Sequence, residues 1–167
     1  MAVRNSEELG KNLMKIVRRL SSNQTLLKYL KSTKNNPLSS LDIDPSTVIN
    51  KNIRVKPYVD PVQDKSESTI VVLFSSGEVM PQNGEFKEIE CHVLVYVPIE
   101  EWTINDDAIR PFVLMSEIEK SLKDKEIDGF GKLDYEGFKL DILPKKLVLN
   151  GNASLYRYDY MVEKFNK

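Results

Sequence analysis

The stretch Lys87–Pro98, KEIECHVLVYVP, decides the fold because its residues alternate between two kinds. One parity is entirely apolar: Ile89, Cys91, Val93, Val95 and Val97. The other parity is mixed: Glu90, His92, Leu94 and Tyr96. Since successive side chains of a strand point to opposite faces, the pattern predicts a long strand with one buried face. Pro98 suits its end, because proline cannot donate to the ladder.

The segments on either side of this strand supply the neighbours that it needs. Thr69–Phe74, TIVVLF, is a continuous apolar run typical of a strand covered on both faces. Ser75–Phe86 contains two glycines, a proline and an asparagine, so it predicts a long loop at the tip of an antiparallel hairpin. Pro111 suits the first turn of a following helix. The buried stripe of that helix is Leu114, Met115, Ile118 and Leu122.

The N-terminal part of the chain predicts helices followed by a connector. Residues 1–31 carry two apolar helical patterns, and Asn23 is the expected N-cap of the second helix. Ser32–Asn52 is rich in Asn, Ser, Asp and Pro and reads as a long connector, a natural arm for contacts with a partner. Ile53–Tyr58 alternates as a short strand, and its proline places it at a sheet edge.

Beyond two glycines near residue 130, the sequence predicts three more strands. They are Lys132–Tyr135 with Phe138–Leu143, then Lys146–Leu149, then Leu155–Val162. Asn150 and Gly151 predict a hairpin turn between the last two. The whole chain, 1–167, is therefore expected to be one α+β domain, with N-terminal helices (1–31), a connector (32–52) and an α+β core (53–167). The core is a mostly antiparallel sheet of about five or six strands under one covering helix.

Composition excludes several classes of function. The 167 residues carry a net charge near −1, without the basic excess typical of a duplex-binding domain. One cysteine permits no internal disulfide, which fits a reducing compartment. The start of the sequence shows no apolar signal segment, and no apolar run reaches membrane-spanning length, so an intracellular protein without membrane contact is expected.

No pattern with a catalytic or ligand-binding mechanism is present. His92 is the only histidine, and its neighbour Cys91 points to the opposite face, so the two cannot form a nucleophile–base pair. Gly129–Lys132, GFGK, lacks the Ser or Thr and the strand-before-helix order of a phosphate loop. Asp42–Ser46, DIDPS, lacks the glycine and final glutamate of a calcium loop. We therefore predict no catalytic residue, no metal ligand and no cofactor, and classify the chain as not an enzyme.

The order of several short motifs resembles the tail terminator, or tail completion, proteins of tailed bacteriophages. They are SSNQTLLKYL, the NNPLSS connector, IRVKPYVD, TIVVLF, KEIECHVLVYVP, WTINDDAIRP and DGFGKL, in that order from about Leu20 to Tyr160. The resemblance implies an α+β protomer that forms closed, usually hexameric, rings. Such a ring caps the tail tube, stops its polymerisation and joins it to neck and head-completion proteins, while DNA passes through the lumen without sequence-specific binding. It also implies a virion protein assembled in the host cytoplasm.

Two other functions remain open at this point. A head–tail connector or head-closure protein of the neck would share a small α+β ring fold. A small hydrolase or nucleotide-binding enzyme is a distant alternative, because no motif with a mechanism supports it.

Seven residues are candidates for assembly contacts. Large apolar or arginine side chains on loops are typical interface anchors, and strand residues on a mixed face can meet a neighbouring subunit. The candidates are Met80 and Phe86 in the hairpin loop, Trp102 and Arg110 in the Ile99–Arg110 connector, and Glu90, His92 and Tyr96 on the strand. For Trp102, packing against the end of the sheet within the fold is an equal alternative.

Overall fold

The structure, a computed structural model, describes residues 6–32, 36–55, 67–84, 86–98, 101–105, 107–127, 131–141, 145–149, 153–157 and 160–166. The helices are α1 (Ser6–Ser21), α2 (Gln24–Lys31) and α3 (Arg110–Leu122), with short 3-10 helices at Pro37–Ser39 and Pro45–Thr47. The strands are β1 (Ile53–Arg54), β2 (Thr69–Val79), β3 (Phe86–Tyr96), β4 (Thr103–Asn105), β5 (Ala108–Ile109), β6 (Glu126–Ile127), β7 (Gly131–Lys132), β8 (Asp134–Asp141), β9 (Lys145–Leu149), β10 (Ala153–Arg157) and β11 (Tyr160–Asn166).

The main sheet has five strands in the order β1-β2-β3-β11-β8. Only β1 runs parallel to its neighbour, over two residue pairs, and the other pairings are antiparallel. β3, the strand that the sequence marks as central, pairs with β2 on one side and β11 on the other. The predicted α+β class with a mostly antiparallel sheet is confirmed, and β1 lies at the edge as expected. The sheet does not close into a barrel.

The helices cover the apolar face of β3, as the alternation predicts. Ile89, Cys91, Val93, Val95 and Val97 are all at most 2% exposed. They share one core with β2 and with the apolar stripes of all three helices, including Leu20, Leu27 and Ile118, each fully buried. Full burial of an Ile, Leu or Val side chain stabilises a fold by about 1.5–3 kcal/mol, so this face dominates the stability of the domain.

The β2–β3 hairpin is longer than predicted. The segment expected to be a loop, Ser75–Phe86, is largely ladder, because β2 continues to Val79 and β3 begins at Phe86. Only a short turn remains, with Gly84 at φ +69°. Serine and glycine are weak strand formers on their own, but cross-strand pairing overrides that preference here.

The strands after α3 differ from the prediction at several points. The break expected between Tyr135 and Phe138 is absent, because β8 runs from Asp134 to Asp141. β9 and β10 pair as a hairpin around the predicted Asn150–Gly151 turn, whose own residues lie outside the described part. The strand expected over Leu155–Val162 is instead two strands, β10 and β11, in different sheets. Tyr156 and Tyr160, both within that expected strand, therefore lie in different sheets.

Local hydrogen bonds explain how the N-terminal helices are set against α3. Asn23 caps α2 as predicted, since its Oδ1 accepts from the Leu26 amide at 3.0 Å. Its Nδ2 donates to the Ser121 hydroxyl at 3.0 Å and to the Glu117 carboxylate at 3.2 Å, both on α3. The connector is held to α2 by Gln24, which exchanges two hydrogen bonds with the Ile43 backbone, at 2.8 and 2.9 Å. The described part of the connector, which the sequence predicts to contact a partner, is thus held to helix α2 of its own chain.

Candidate assembly interface

The distal part of the β2–β3 hairpin, residues 75–90, extends beyond the strands that flank β2 and β3; we call it the arm. Ile89 holds its base to the core, with 1% exposure. Consecutive residues from Ser75 to Val79 are all exposed, so both faces of this part of β2 meet solvent. β11 pairs with β3 only from Glu90 onward, and β1 reaches only Ile70 and Val71 of β2. The arm is therefore a two-stranded ribbon with no third strand in the described part of the chain.

A β-bulge marks the root of the arm. Phe74 pairs with Cys91 and Ser76 with Glu90, so Ser75 and Ser76 together oppose Glu90. Both hydroxyls donate to Oε2 of the Glu90 carboxylate, at 2.9 and 3.0 Å. Bulges bend a strand and increase its twist, and this one re-aims the arm at the point where it leaves the core. Glu90, an expected interface residue, is thus engaged in fixing the root.

The tip of the arm carries the apolar residues expected from the sequence. Val79 is 51% exposed and Met80, in the turn, is half-buried. Phe86 begins β3 directly opposite Val79, but its side chain lies outside the described part. Val79 is thus a half-exposed apolar side chain at the end of the arm, in a position that a partner surface would bury.

The mixed face of β3 is half-buried at His92, Leu94 and Tyr96. Nε2 of His92 lies 2.8 Å from Oε1 of Glu90, but the ring N–H does not point at that oxygen, and it forms no hydrogen bond. The serines next to this pair bond the carboxylate and not the imidazole, so a Ser–His catalytic contact does not form here. An interface role for His92 and Tyr96 stays a prediction.

Trp102 packs inward. Its indole is half-buried against the main core, and Nε1 donates to the Val97 carbonyl at 3.3 Å. The second reading of this residue, packing at the end of the sheet, describes its position in the single chain. Its role in assembly stays a prediction.

Arg110 was expected on a loop but is the first residue of α3 and is only 1% exposed. Its Nε donates to the Glu101 carbonyl at 2.8 Å, and one terminal nitrogen donates to the carbonyls of Ser32, at 2.6 Å, and Tyr29. These carbonyls lie at the C-terminal end of α2, where a cation also favours the helix dipole. Burial lowers the pKa of the Arg110 guanidinium, and the nearby charge of Glu101 opposes that shift. Arg110 therefore joins the start of α3 to the end of α2 and to Glu101, in the connector that precedes α3.

A shallow groove between α2, the 3-10 helix Pro37–Ser39, β5 and α3 was not expected from the sequence; we call it the α3 groove. Its volume is about 750 Å³. Three large apolar residues line it while remaining exposed: Leu38 at 49%, Ile109 at 45% and Phe112 at 46%. Phe138 of β8 extends this surface, with its ring edge-on to Phe112 at 6.3 Å between centroids. One signal was available, since Phe112 lies off the buried stripe of α3 and has no reason within the helix to be apolar.

The described residues offer little for chemistry. No group of three or more His, Cys, Asp or Glu side chains among them is arranged to hold a metal ion. Burial raises the pKa of the Cys91 thiol to about 12, so the reactive thiolate is scarce at neutral pH. None of the helices within the described ranges combines the length and apolarity needed to cross a membrane.

The fold and its exposed features define the class: an α+β domain that presents a projecting arm and an apolar groove. Its sequence matches the family model YomW over residues 23–162, and the chain belongs to the YomW family. That family is named after a gene of an SPbeta-like prophage region, which supports an association with phage. Searches among curated proteins and among solved structures gave no match.

Proposed function

We propose that this protein is a structural virion component, a tail terminator that assembles into a closed ring, most simply a hexamer, on the end of the tail tube. The ring would stop further polymerisation of the tube and connect the tail to the neck and head-completion proteins. The motif order that resembles tail terminators and the prophage origin of the family name support this proposal.

The arm is the observation that carries the proposal. An enzyme places its polar groups around a cavity, whereas this chain extends a two-stranded ribbon with an apolar tip away from its core. Isolated two-stranded hairpins are marginally stable in water, so such an arm is best explained by a surface that receives it. Repeated contacts between protruding and receiving surfaces are how cyclic assemblies are built.

The charge of the chain suits a lumen through which DNA passes. With 24 basic and 25 acidic residues, the subunit offers no net attraction to phosphates. DNA held by many lysine and arginine contacts would be retained, since phosphate neutralisation drives nonspecific binding. A near-neutral ring allows DNA to move through it.

A head–tail connector or head-closure protein of the neck is the second candidate, because it would use the same kinds of contact at a neighbouring position of the particle. For a hydrolase activity the described side chains next to His92 give no support, since Ser75 and Ser76 bond the Glu90 carboxylate.

The test is to image the purified chain by negative-stain electron microscopy, alone and with isolated tail tubes of the phage or prophage that encodes it. The terminator proposal expects rings, or density added at one end of each tube, and shorter tubes when the protein is present during polymerisation. Binding to heads or portal complexes without tube binding would favour the neck alternative. A chain that binds neither and stays monomeric would contradict both.

A further inference from the structure

We propose that the arm of one copy docks into the α3 groove of a second copy, so that the subunits are joined head to tail. The inference rests on the proposed function only in that it names the contact that would close the ring. The tip of the arm and the α3 groove are the two apolar surfaces that the single chain offers for this contact.

The arm needs a cover that its own sheet does not supply. Within the described ranges its two strands pair only with each other beyond Glu90, and Val79 at its tip is 51% exposed. From the root at Ser75 to the tip, the arm extends about 17 Å at the usual rise of a strand. That reach is enough to enter a neighbouring molecule.

The α3 groove has the matching chemistry. Leu38, Ile109 and Phe112 expose nearly half of their surface around one concavity, and clustered exposure of this kind marks an interaction site. Its volume of about 750 Å³ lies within the range of sites that enclose small apolar groups. Val79, which is compact, and Met80, which is unbranched and flexible, are the apolar side chains that the tip offers to this groove.

Charge is also complementary. Glu78 and Glu88 are directly opposite one another across the ribbon, and both are exposed. Lys120 lines the groove with 64% of its side chain exposed, and it contacts Glu117 at 2.5 Å. A docked arm would bring its two carboxylates toward this ammonium group.

The arm and the groove are different surfaces, so the contact is heterologous. Each copy offers one of each, and repetition of such a contact produces a ring when its rotation closes. A symmetric dimer would instead bring arm against arm or groove against groove.

Mixing two variants tests the proposal directly. Val79→Asp damages the arm, and Phe112→Asp damages the groove while placing an acid in the first turn of α3, where the helix dipole tolerates it. Leu41→Asp is the matched control, because Leu41 is 90% exposed and does not line the groove. Circular dichroism verifies folding, and a variant with residues 79–87 replaced by Asn-Gly serves as a second arm variant.

The expected masses by light scattering are distinctive. The wild type and the Leu41→Asp control form the same oligomer, whereas each groove or arm variant alone is monomeric, with self-association weakened about 30-fold or more. An equimolar mixture of the two variants forms a heterodimer and nothing larger, since one intact arm meets one intact groove. Oligomers that survive both substitutions, a mixture that stays monomeric, or a monomeric wild type would overturn the proposal.

Crosslinking separates this inference from the proposed function. In a Cys91→Ala background, Val79→Cys and Phe112→Cys chains are expected to crosslink only when mixed; crosslinks within either single variant would overturn the head-to-tail contact. Tail-tube binding is measured separately with the wild type. Rings on tubes without a 79–112 crosslink would retain the proposed function and reject the contact. A 79–112 crosslink without tube binding would retain the contact and reject the proposed function.

Discussion

The arm and the connector before α3 have similar sequences in one respect, since each places large apolar or arginine residues on a segment outside the predicted strands and helices. In the folded chain they behave oppositely. The arm carries Val79 outward, whereas the connector turns Trp102 into the core and leads into the buried Arg110. The difference lies in where the hydrogen-bonding groups go. Arg110 finds backbone carbonyls of its own chain, whereas the serines at the root of the arm bond a carboxylate of the arm itself.

The comparison teaches that residue type alone does not separate an interface anchor from an internal fastener. Substitutions should therefore divide the two regions: in the connector they lower the free energy of unfolding, and in the arm they leave it nearly unchanged. The expected effects on that free energy decrease in the order below.

Arg110→Met should destabilise the chain by about 2–4 kcal/mol, because buried carbonyls at Tyr29, Ser32 and Glu101 lose their donor. Urea unfolding followed by circular dichroism measures it. Arg18→Met on the exposed side of α1 is the control and should stay within about 0.5 kcal/mol. If the monomer of Arg110→Met keeps its stability but fails to oligomerise, the anchor role predicted from the sequence is correct instead.

Trp102→Ala should cost about 1–3 kcal/mol, less than full burial would give, since the indole is only half-buried. Far-ultraviolet circular dichroism is the suitable probe because the substitution removes the only tryptophan. Trp102→Phe keeps most of the packing and loses only the bond to Val97, so it should recover most of the stability. An unchanged unfolding midpoint together with a lost oligomer would assign Trp102 to the interface.

Cys91, the last buried residue before the arm, should make stability depend on alkaline pH. Its pKa is raised to about 12 in the folded chain, above the ordinary value of 9.0 that an unfolded thiol has. The folded state therefore favours the neutral thiol, and this contribution is complete below pH 9 and is lost as pH rises toward 12. Between pH 8 and 10 the wild type should lose about 1–2 kcal/mol more than Cys91→Ala does. If the free energy of unfolding falls equally with pH in the two proteins, the thiol of the folded chain is in contact with water.

Replacing residues 79–87 by Asn-Gly, which joins Glu78 to Glu88 through a two-residue turn, should change the unfolding free energy by less than about 1 kcal/mol. The arm buries little within its own chain, so its removal costs little, while self-association is lost. Thermal unfolding of the shortened chain provides the measurement. A large drop in the melting temperature would mean that the arm packs against its own body, and the contrast between the two regions would fail.

The sequence predicts the parts of this fold that depend on a single periodicity. The alternation from Ile89 to Val97 predicts the buried face of β3. Asn23 predicts the start of α2, and the apolar stripe from Leu114 to Leu122 predicts the covering helix α3. It does not predict the ladder of the arm, because Ser75, Ser76 and Gly77 are paired for reasons that lie on the opposite strand. The α3 groove is likewise hidden, since Leu38 and Phe112 are 74 residues apart and meet only after folding.

The sheet order also governs when this chain can fold during synthesis. β11 lies between β3 and β8, although β3 precedes it by more than sixty residues. The β2–β3 hairpin is local and can form early, but its inner edge stays open until residues 160–166 have left the ribosome. A chain cut short before β11 would lack a middle strand of its sheet. Incomplete translation products would then carry an open edge of β3, which is a template for pairing with other chains.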